Sequence, residues 1–238
     1  MNTFSLHVAA VKVAQDFRFV KKNFFSSKDN LFQYGRYRVL RPYLKMYNQF
    51  LMRKYKDAPW LSPASVAILN SILSPGMVGF EFGSGRSTIW IAKKIKTLVS
   101  IEHNKDWFNK ISGIIDSEQI QNITYRLIEP DPQKKTERNF PKNSYENILM
   151  KHAPASCYQK YYDSLTSFPA EHFDFIIVDG RARTECCLIA MSKIKNSGFL
   201  VLDNSERERY RPAKEALSKW PSVQTTTGLT DTTIWFKP

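Results

Sequence analysis

The feature that most constrains this chain is a glycine-containing stretch followed closely by an acidic one. Residues 78–88 read VGFEFGSGRST, and residues 100–104 read SIEHN. The apolar run before the glycines is typical of a strand, and the apolar residues after them recur at helical spacing, so Gly83 and Gly85 lie on a strand-to-helix turn. Without a Cβ, such a turn lets the backbone pass close beneath a ligand. Glu102 ends a second predicted strand, where a carboxylate faces the ribose of a nucleoside in a doubly wound sheet.

Two residues in this stretch argue against a dinucleotide. Thr88 occupies the place of the third glycine of a dinucleotide motif, and Glu81 puts a negative charge just before the first glycine. That charge would repel a diphosphate, but it suits a ligand that carries an ammonium and a sulfonium.

With both acids counted, residues 61–238 resemble the class I S-adenosylmethionine-dependent methyltransferases. Their first motif is acid-x-Gly-x-Gly after the first strand, and their second is an acid at the end of strand two. The resemblance implies S-adenosylmethionine as cofactor, with Glu81 near its amino acid end and His103 along the adenine. A histidine that only forms a hydrogen bond at the start of a helix is the alternative for His103. The cofactor contacts implied are Glu81, Gly83, Ser84, Gly85, Ser87, Glu102, His103 and Asp179.

The rest of the chain predicts an α/β fold. At 238 residues it is long enough for one substantial core. Strands are predicted at 123–128, 173–178 and 199–202, with helices at 182–195 and 214–220, and a hairpin closes the chain. The expected architecture is a doubly wound, Rossmann-like, seven-stranded and mostly parallel sheet with an antiparallel C-terminal hairpin. Residues 1–60 are expected to form a helical extension, and residues 61–238 the methyltransferase domain.

The positive charge lies mainly in the first quarter of the chain. Residues 1–56 hold twelve lysine or arginine residues against two aspartates, which gives +10 of the formal +13. Apolar and aromatic residues at three- and four-residue intervals predict two or more helices here. These helices would form a basic platform for an anionic partner such as nucleic acid, a membrane surface or a phosphorylated substrate. The alternative is a helical lid packed on the domain or against a second subunit in a homo-oligomer.

Cysteine usage and hydropathy indicate where the protein works. Cys157, Cys186 and Cys187 lack metal-ligand spacing, which favours a reducing compartment. No apolar run approaches the ~20 residues needed to span a bilayer, and no signal-type segment opens the chain. We therefore expect a soluble, cytoplasmic protein without a transmembrane segment.

Polar side chains also end the fourth and fifth strands. Asp179 follows strand four, and Asp203 with Asn204 follows strand five. This set is similar to that of the catechol-type O-methyltransferases, which implies that these three residues hold Mg²⁺ and, with Arg181, form the catalytic set. Arg181 and Arg183 depart from that family, because two cations would oppose a metal; they would instead bind a carboxylate, phosphate or sulfate of the acceptor. The alternatives are lining of the cofactor pocket for Asp179 and a cap or turn for Asp203-Asn204.

A long connection, residues 130–156, shows no clear period and is expected to form part of the acceptor pocket. Lys151 and His152 are conceivable bases within it, although a lone loop histidine is more often only solvated. Beyond strand five, Arg207, Arg209 and Arg211 are expected to complete a basic mouth, with a solvated charge run as the alternative.

Together these features predict an S-adenosylmethionine-dependent O-methyltransferase acting on a small-molecule or glycan-like acceptor that carries negative charge. The tetrapeptide Asn/Asp-Pro-Pro-aromatic that marks many base methylases is missing from the end of strand four. A nucleic-acid-modifying methyltransferase that binds phosphates through residues 1–56 is the second hypothesis. A non-catalytic relative whose fold serves assembly is the third.

Overall fold

The structure, a computed structural model, describes residues 3–16, 31–131, 133 and 155–238. Within these ranges the helices are α1 (Thr3–Asp16), α2 (Leu31–Lys54), α3 (Pro63–Ile72), α4 (Arg86–Ala92), α5 (Lys105–Ser117), α6 (Gln159–Asp163), α7 (Arg183–Lys193) and α8 (Arg211–Ala216). The strands are β1 (Val78–Phe82), β2 (Thr97–Glu102), β3 (Ile123–Leu127), β4 (Phe173–Val178), β5 (Ile194–Asp203), β6 (Ser222–Thr226) and β7 (Asp231–Phe236).

The strands form one seven-stranded sheet in the order β3-β2-β1-β4-β5-β7-β6. The first five in that order are parallel, whereas β7 runs antiparallel to both β5 and β6. The predicted α/β sheet with an antiparallel C-terminal hairpin is therefore confirmed. The strand order reverses between β1 and β4, and the carboxyl ends of parallel strands at such a point form a crevice suited to ligands.

The two faces of the sheet have separate apolar cores, because alternate side chains of a strand point in opposite directions. On β4, Ile176 and Val178 pack with α7 and Tyr161 on one face, whereas Phe175 and Ile177 pack with α3 and α4 on the other. The central strands are buried on both faces, as expected for parallel strands covered by helices.

The largest deviation from the predicted elements is at the start of β5. The sequence predicts a helix to residue 195 and a turn at Asn196-Ser197-Gly198, but α7 ends at Lys193 and β5 begins at Ile194. Ser197 adopts a left-handed φ of 66°, and the register shifts where β5 pairs with β4. The supposed turn is thus an irregularity within a longer strand.

The N-terminal helices differ in how they meet the domain. In α1, Leu6 and Ala10 are buried in the same core as α3, and His7 contacts Phe236 edge-on with ring centroids 5.5 Å apart. Most residues of α2 are exposed or half-buried. The division at residue 60 stays a prediction, although α1 clearly contributes to the core of the domain.

Cysteine burial and helix hydropathy bear on the expected environment of the protein. Cys157, Cys186 and Cys187 are free and buried, and burial raises the pKa of Cys187 to about 12, so this thiol is unreactive. In the part of the chain that is described, every helix is too short or too polar to cross a bilayer. A reducing, cytoplasmic location stays a prediction.

The packing of α1 can be tested with Leu6→Ala. Because Leu6 is only 4% exposed, its truncation should lower the free energy of unfolding by about 2–5 kcal/mol. The matched control is Val8→Ala, at a position that is 48% exposed, where the change should stay within about 0.5 kcal/mol. Urea unfolding of both full-length variants measures this. Equal stability of the two would show that α1 is a detachable extension.

Candidate functional site

A cleft of about 900 Å³ lies at the carboxyl ends of β1, β2, β4 and β5. It contains the strand-to-helix turn and most of the polar strand ends. Residues from the predicted site that line it are Gly83, Ser84, Glu102, His103, Asp179, Arg181 and Asn204. Glu81, Gly85, Ser87 and Asp203 were also predicted to belong to the site, but they do not line the cleft.

The floor of the cleft is a close backbone contact between the ends of β1 and β4. Gly83 has a φ of 91°, and a Cβ there would lie 2.6 Å from the backbone of Gly180. A Cβ on Gly180 would lie 2.0 Å from the Tyr161 hydroxyl. Both positions therefore require glycine. Gly85 does not, since a Cβ there would meet nothing closer than 3.9 Å.

Glu81 lies beneath the turn and has no access to solvent. Its carboxyl group accepts hydrogen bonds from the hydroxyls of Ser87 (2.5 Å), Thr88 (2.5 Å) and Ser100 (2.7 Å). Thr88 Oγ1 also accepts from the Gly85 N–H at 2.9 Å. The side chains of Glu81 and Ser87 thus bind each other and support the turn from below. The expectation that they contact the cofactor stays a prediction.

Glu102 lies in the cleft wall but is only 2% exposed. Oε2 accepts from the N–H and the hydroxyl of Ser84, both at 3.0 Å, and Oε1 accepts from the N–H groups of His103 (2.8 Å) and Asn104 (2.9 Å). These four donors match the four lone-pair positions of a carboxylate. The sequence predicts an open carboxylate, whereas the structure shows one that the neighbouring N–H groups already occupy.

These hydrogen bonds keep Glu102 ionised. Burial by itself would raise the pKa of Glu102, but the hydrogen bonds from His103 and Asn104 outweigh it, and the pKa is lowered. Nδ1 of His103 lies 2.8 Å from Glu102 Oε1, and Nε2 accepts from Arg181 Nε at 3.3 Å. A histidine that accepts at Nε2 carries its proton at Nδ1, facing the carboxylate.

A second buried cluster joins the ends of β4 and β5. The Arg183 guanidinium donates to Asp179 Oδ1 and to the carbonyl of Asp179, both at 2.7 Å, and to the carbonyl of Asp203. Its Nη1 also lies 3.7 Å from Asp203 Oδ2. Arg183 is 8% exposed, so it is an internal cation and does not reach out to a ligand.

This cluster does not fit the predicted Mg²⁺ site. The guanidinium of Arg183 already neutralises the two carboxylates that were expected to hold the ion. Among the described residues, no group of three or more His, Cys, Asp or Glu side chains could hold a metal. A divalent cation beside a buried guanidinium would be repelled strongly, because like charges in a poorly solvated site are weakly screened. Asp179, Asp203 and Asn204 are therefore interpreted without a metal.

The two carboxyl groups of the cluster differ from ordinary aspartates. Burial and the neighbouring charge of Asp179 raise the pKa of Asp203 to about 7. Burial also raises the pKa of Asp179, although Arg183 opposes that effect. The Asp179 side chain is 32% exposed and faces the cleft, whereas Asp203 is buried behind Arg183. Asp179 is thus the carboxylate of this pair that a ligand can reach.

Further cleft residues were not predicted from the sequence. Trp107 donates from Nε1 to the Ser84 carbonyl at 2.8 Å, and Tyr125 shares a 2.6 Å hydrogen bond with the Ser84 hydroxyl. Tyr158 closes another side, 5.7 Å from the His103 ring. The one local signal for Trp107 is its position in the first turn of α5, which Asn104 caps.

Basic residues line the side of the cleft formed by the ends of β4 and β5. Arg181, Arg207 and Arg209 all border it near the ends of β4 and β5. Arg209 lies over the Tyr210 ring at 4.9 Å, and Arg207 lies 3.7 Å from Glu206. The predicted basic mouth is therefore present at Arg207 and Arg209, but Arg211 pairs with Glu215 outside the cleft. Lys151, His152 and most of the predicted acceptor loop lie outside the described residues.

A separate apolar cavity of about 720 Å³ lies between α2, α3 and the turn joining β6 to β7. Its walls include Leu51, Trp60, Val66, Trp90 and Leu229. None of the described residues that line it carries a carboxyl group, in contrast to the cleft at the strand ends. The cleft is accordingly the candidate active site.

Comparisons with known proteins support the fold. No protein family and no curated protein matches the chain. Solved structures do: a methyltransferase-like protein from Silicibacter pomeroyi has a TM-score of 0.51 and 19% identity, over 75% of this chain and 88% of that one. A methyltransferase from Geobacter sulfurreducens has a TM-score of 0.50 and 12% identity, over 82% of this chain and 88% of that one. At such identities the likeness establishes a shared fold, and the resemblance to catechol-type enzymes stays a prediction.

The burial of Glu81 predicts a specific pH dependence of stability. Desolvation raises the pKa of Glu81 to about 7, despite three hydrogen bonds that lower it. Between pH 4.5 and 7 the unfolded chain loses this proton and the folded protein keeps it, so the free energy of unfolding falls as pH rises, by about 3 kcal/mol for this group. Urea unfolding of wild type and Glu81→Gln across this range measures the effect.

In Glu81→Gln the free energy of unfolding should fall less as pH rises, because only the contributions of Asp203 and other groups remain. Glu118→Gln, at an exposed helix end, is the matched control and should follow the wild type. If the pH curves of wild type and Glu81→Gln run parallel, Glu81 does not carry its proton in the folded protein.

Proposed function

We propose that this protein is an S-adenosylmethionine-dependent O-methyltransferase whose acceptor is a small or glycan-like molecule carrying negative charge. The observation that carries the proposal is the convergence of three groups in one cleft: the glycine turn, a fixed anionic carboxylate on Glu102 and a reachable carboxylate on Asp179. The methyltransferase fold of the two similar structures supports it. The cleft volume, about 900 Å³, suits a nucleoside-sized cofactor together with part of an acceptor.

Glu102 can serve a ribose only if one of its acceptor positions becomes available. Ser84 provides the means, because its hydroxyl lies 3.0 Å from Glu102 and 2.6 Å from the Tyr125 hydroxyl. If the Ser84 proton turns to Tyr125, Oε2 of Glu102 regains a lone pair on the cleft side. The three backbone N–H groups continue to hold the carboxylate in place, so the acceptor for a ribose hydroxyl is already oriented.

Asp179 is the base that this cleft offers to an acceptor. S-adenosylmethionine, when bound, would supply the methyl group from its positively charged sulfur. The bond from sulfur to the methyl carbon would break as the bond from the acceptor oxygen to that carbon forms. Asp179 takes the hydroxyl proton of the acceptor, and its raised pKa makes it a stronger base than an ordinary aspartate. Arg183 holds Oδ1 of Asp179 in place, and the Asp179 side chain faces the cleft.

The charge of the proposed acceptor follows from the arginines around Asp179. Arg181, Arg207 and Arg209 border the same end of the cleft. Guanidinium groups bind carboxylate, phosphate and sulfate oxygens through paired hydrogen bonds. An anionic group of the acceptor would be held here, which orients the acceptor hydroxyl toward Asp179.

The cofactor assignment is tested by calorimetric titration with S-adenosylhomocysteine. Wild type should bind, and Glu102→Gln should bind at least about tenfold more weakly, because a hydrogen bond to a charged acceptor is lost. Glu118→Gln is the matched control. Ser84→Ala should retain wild-type affinity within about threefold, since its backbone N–H still holds Glu102.

Thermal unfolding of each variant shows whether the fold survives. No binding by wild type would remove the cofactor assignment. Wild-type affinity in a folded Glu102→Gln variant would leave the cofactor assignment in place but remove the ribose role of this carboxylate.

The role of Asp179 is tested with radiolabelled methyl transfer from S-adenosylmethionine to anionic fractions of a cell extract. Asp179→Asn should lower the rate about 10²–10⁴-fold while S-adenosylhomocysteine affinity stays within about threefold, because only proton transfer is lost. Asp116→Asn, on the exposed side of α5, should behave as wild type. EDTA should leave the wild-type rate unchanged, since Arg183 takes the place of a metal. Loss of activity in EDTA, or full activity in Asp179→Asn, would contradict this mechanism.

A further inference from the structure

The outer face of α2 carries a row of apolar side chains that the described part of the chain leaves uncovered. Phe32, Val39, Tyr43, Met46 and Phe50 are 83%, 67%, 66%, 66% and 59% exposed. They are spaced seven, four, three and four residues apart. At about 100° per residue, all five lie within an arc of about 60° on one side of the helix. We call these five residues the outer row.

Such a row differs from the scattered apolar residues of an ordinary surface. Single exposed apolar side chains are common, whereas a contiguous apolar strip marks a surface that another body covers. The inner side of α2 is distinct, because Leu40, Leu44 and Leu51 are half-buried there. The outer row is therefore not required for packing α2 on the domain.

The charge of α2 restricts what can cover the outer row. The helix contains no acidic residue, and its basic residues are Arg36, Arg38, Arg41, Lys45, Arg53 and Lys54. By helical spacing, Arg36 and Arg53 border the outer row on its two sides, whereas Arg38 and Lys45 are exposed further round the helix. A partner must therefore offer an apolar layer together with negative charge.

A second copy of this chain does not meet that requirement. Two α2 helices packed through their outer rows would bring only positive side chains together, with no acidic residue on either helix to pair with them. A nucleic acid would supply the charge but not the apolar layer, since Val39 and Met46 cannot stack on bases as aromatic rings do. An anionic lipid bilayer supplies both.

We propose that α2 docks this protein on an anionic membrane surface. The helix lies in the plane of the interface, with the outer row among the acyl chains nearest the headgroups and the basic side chains on the anionic lipids. Because no described helix can cross a bilayer, this is attachment to the surface. The inference does not depend on the proposed methyltransferase activity.

The position of α2 links this attachment to the cleft. Arg86, the first residue of α4 after the glycine turn, donates to the Met52 carbonyl of α2 at 3.4 Å and lies 5.2 Å from the Trp60 ring. The carboxyl end of α2 is thus held next to the turn that forms the cleft floor. Docking through α2 would place the cleft near the membrane surface.

The proposal is tested by sedimentation of the full-length protein with lipid vesicles. It should bind vesicles of phosphatidylcholine mixed with phosphatidylglycerol much more tightly than vesicles of phosphatidylcholine alone, and added salt should weaken binding. The double variant Phe32→Ser/Phe50→Ser should bind at least about tenfold more weakly. The double variant Arg36→Gln/Arg53→Gln should lose about fivefold per charge.

Leu188→Ser is the matched control, because Leu188 is an exposed apolar residue (44%) on α7, and it should bind as wild type. Circular dichroism of each variant verifies that the fold is intact. We expect an intact fold because substitutions at exposed positions usually change stability little. Absence of binding to the mixed vesicles, or equal binding by the Phe32→Ser/Phe50→Ser variant, would overturn the proposal. Self-association or salt-sensitive RNA binding through the outer row, in protein that does not bind the vesicles, would also overturn the proposal, because another partner would then cover the outer row.

Discussion

The candidate site depends on a carboxyl group that never meets solvent. Glu81, on β1, accepts hydrogen bonds from Ser100 on β2 and from Ser87 and Thr88 on α4, so one side chain joins two strands and the helix that follows the turn. Thr88 extends the connection to the Gly85 N–H. Burying a carboxyl group is costly unless it is hydrogen-bonded, and here all three donors are hydroxyls, two on the helix after the turn and one on β2. The hydrogen bonds beneath the turn therefore fix its shape. Glu81, which the motif presents as a ligand contact, is the residue that accepts them.

Arg183 has the corresponding role at the neighbouring strand ends. In catechol-type enzymes a divalent ion is expected between the carboxylates; here a guanidinium carried by α7 binds both Asp179 and Asp203. A cation that belongs to the chain cannot dissociate, and it points one carboxylate oxygen of Asp179 in a fixed direction. The remaining arginines of the cleft, such as Arg181 and Arg207, lie further out, where they can meet an anionic ligand. The buried Arg183 and the outer arginines therefore have different roles, although all of them follow the ends of β4 and β5 along the sequence.

The sequence predicts the parts of this structure that depend on local periodicity. Strand, turn and helix around Gly83, the acids at strand ends and the final hairpin all follow from spacing along the chain. The sequence does not predict which way a charged side chain turns, because some of its hydrogen-bond donors lie on other elements. Ser100 on β2 donates to Glu81 and holds it inward, and the N–H groups of Ser84, on the glycine turn, and of the nearby Asn104 occupy Glu102. Ligand-lining aromatic residues such as Tyr158 were missed for the same reason. Their place is set by the sheet order, which brings distant segments to one edge.

The positive charge of the chain also separates into two surfaces with different chemistry. The arginines beside Asp179 lie in a concave cleft among polar groups, which suits a single anionic group on a small molecule. Arg36 and Arg53 of α2 border the outer row on a convex helix, which suits an extended anionic surface with an apolar layer beneath it. Since Arg86 joins α2 to the glycine turn, the two surfaces are held in one arrangement. Taken together, the two proposals point to an acceptor whose anionic group lies near a lipid anchor, because such a molecule would meet both surfaces at once.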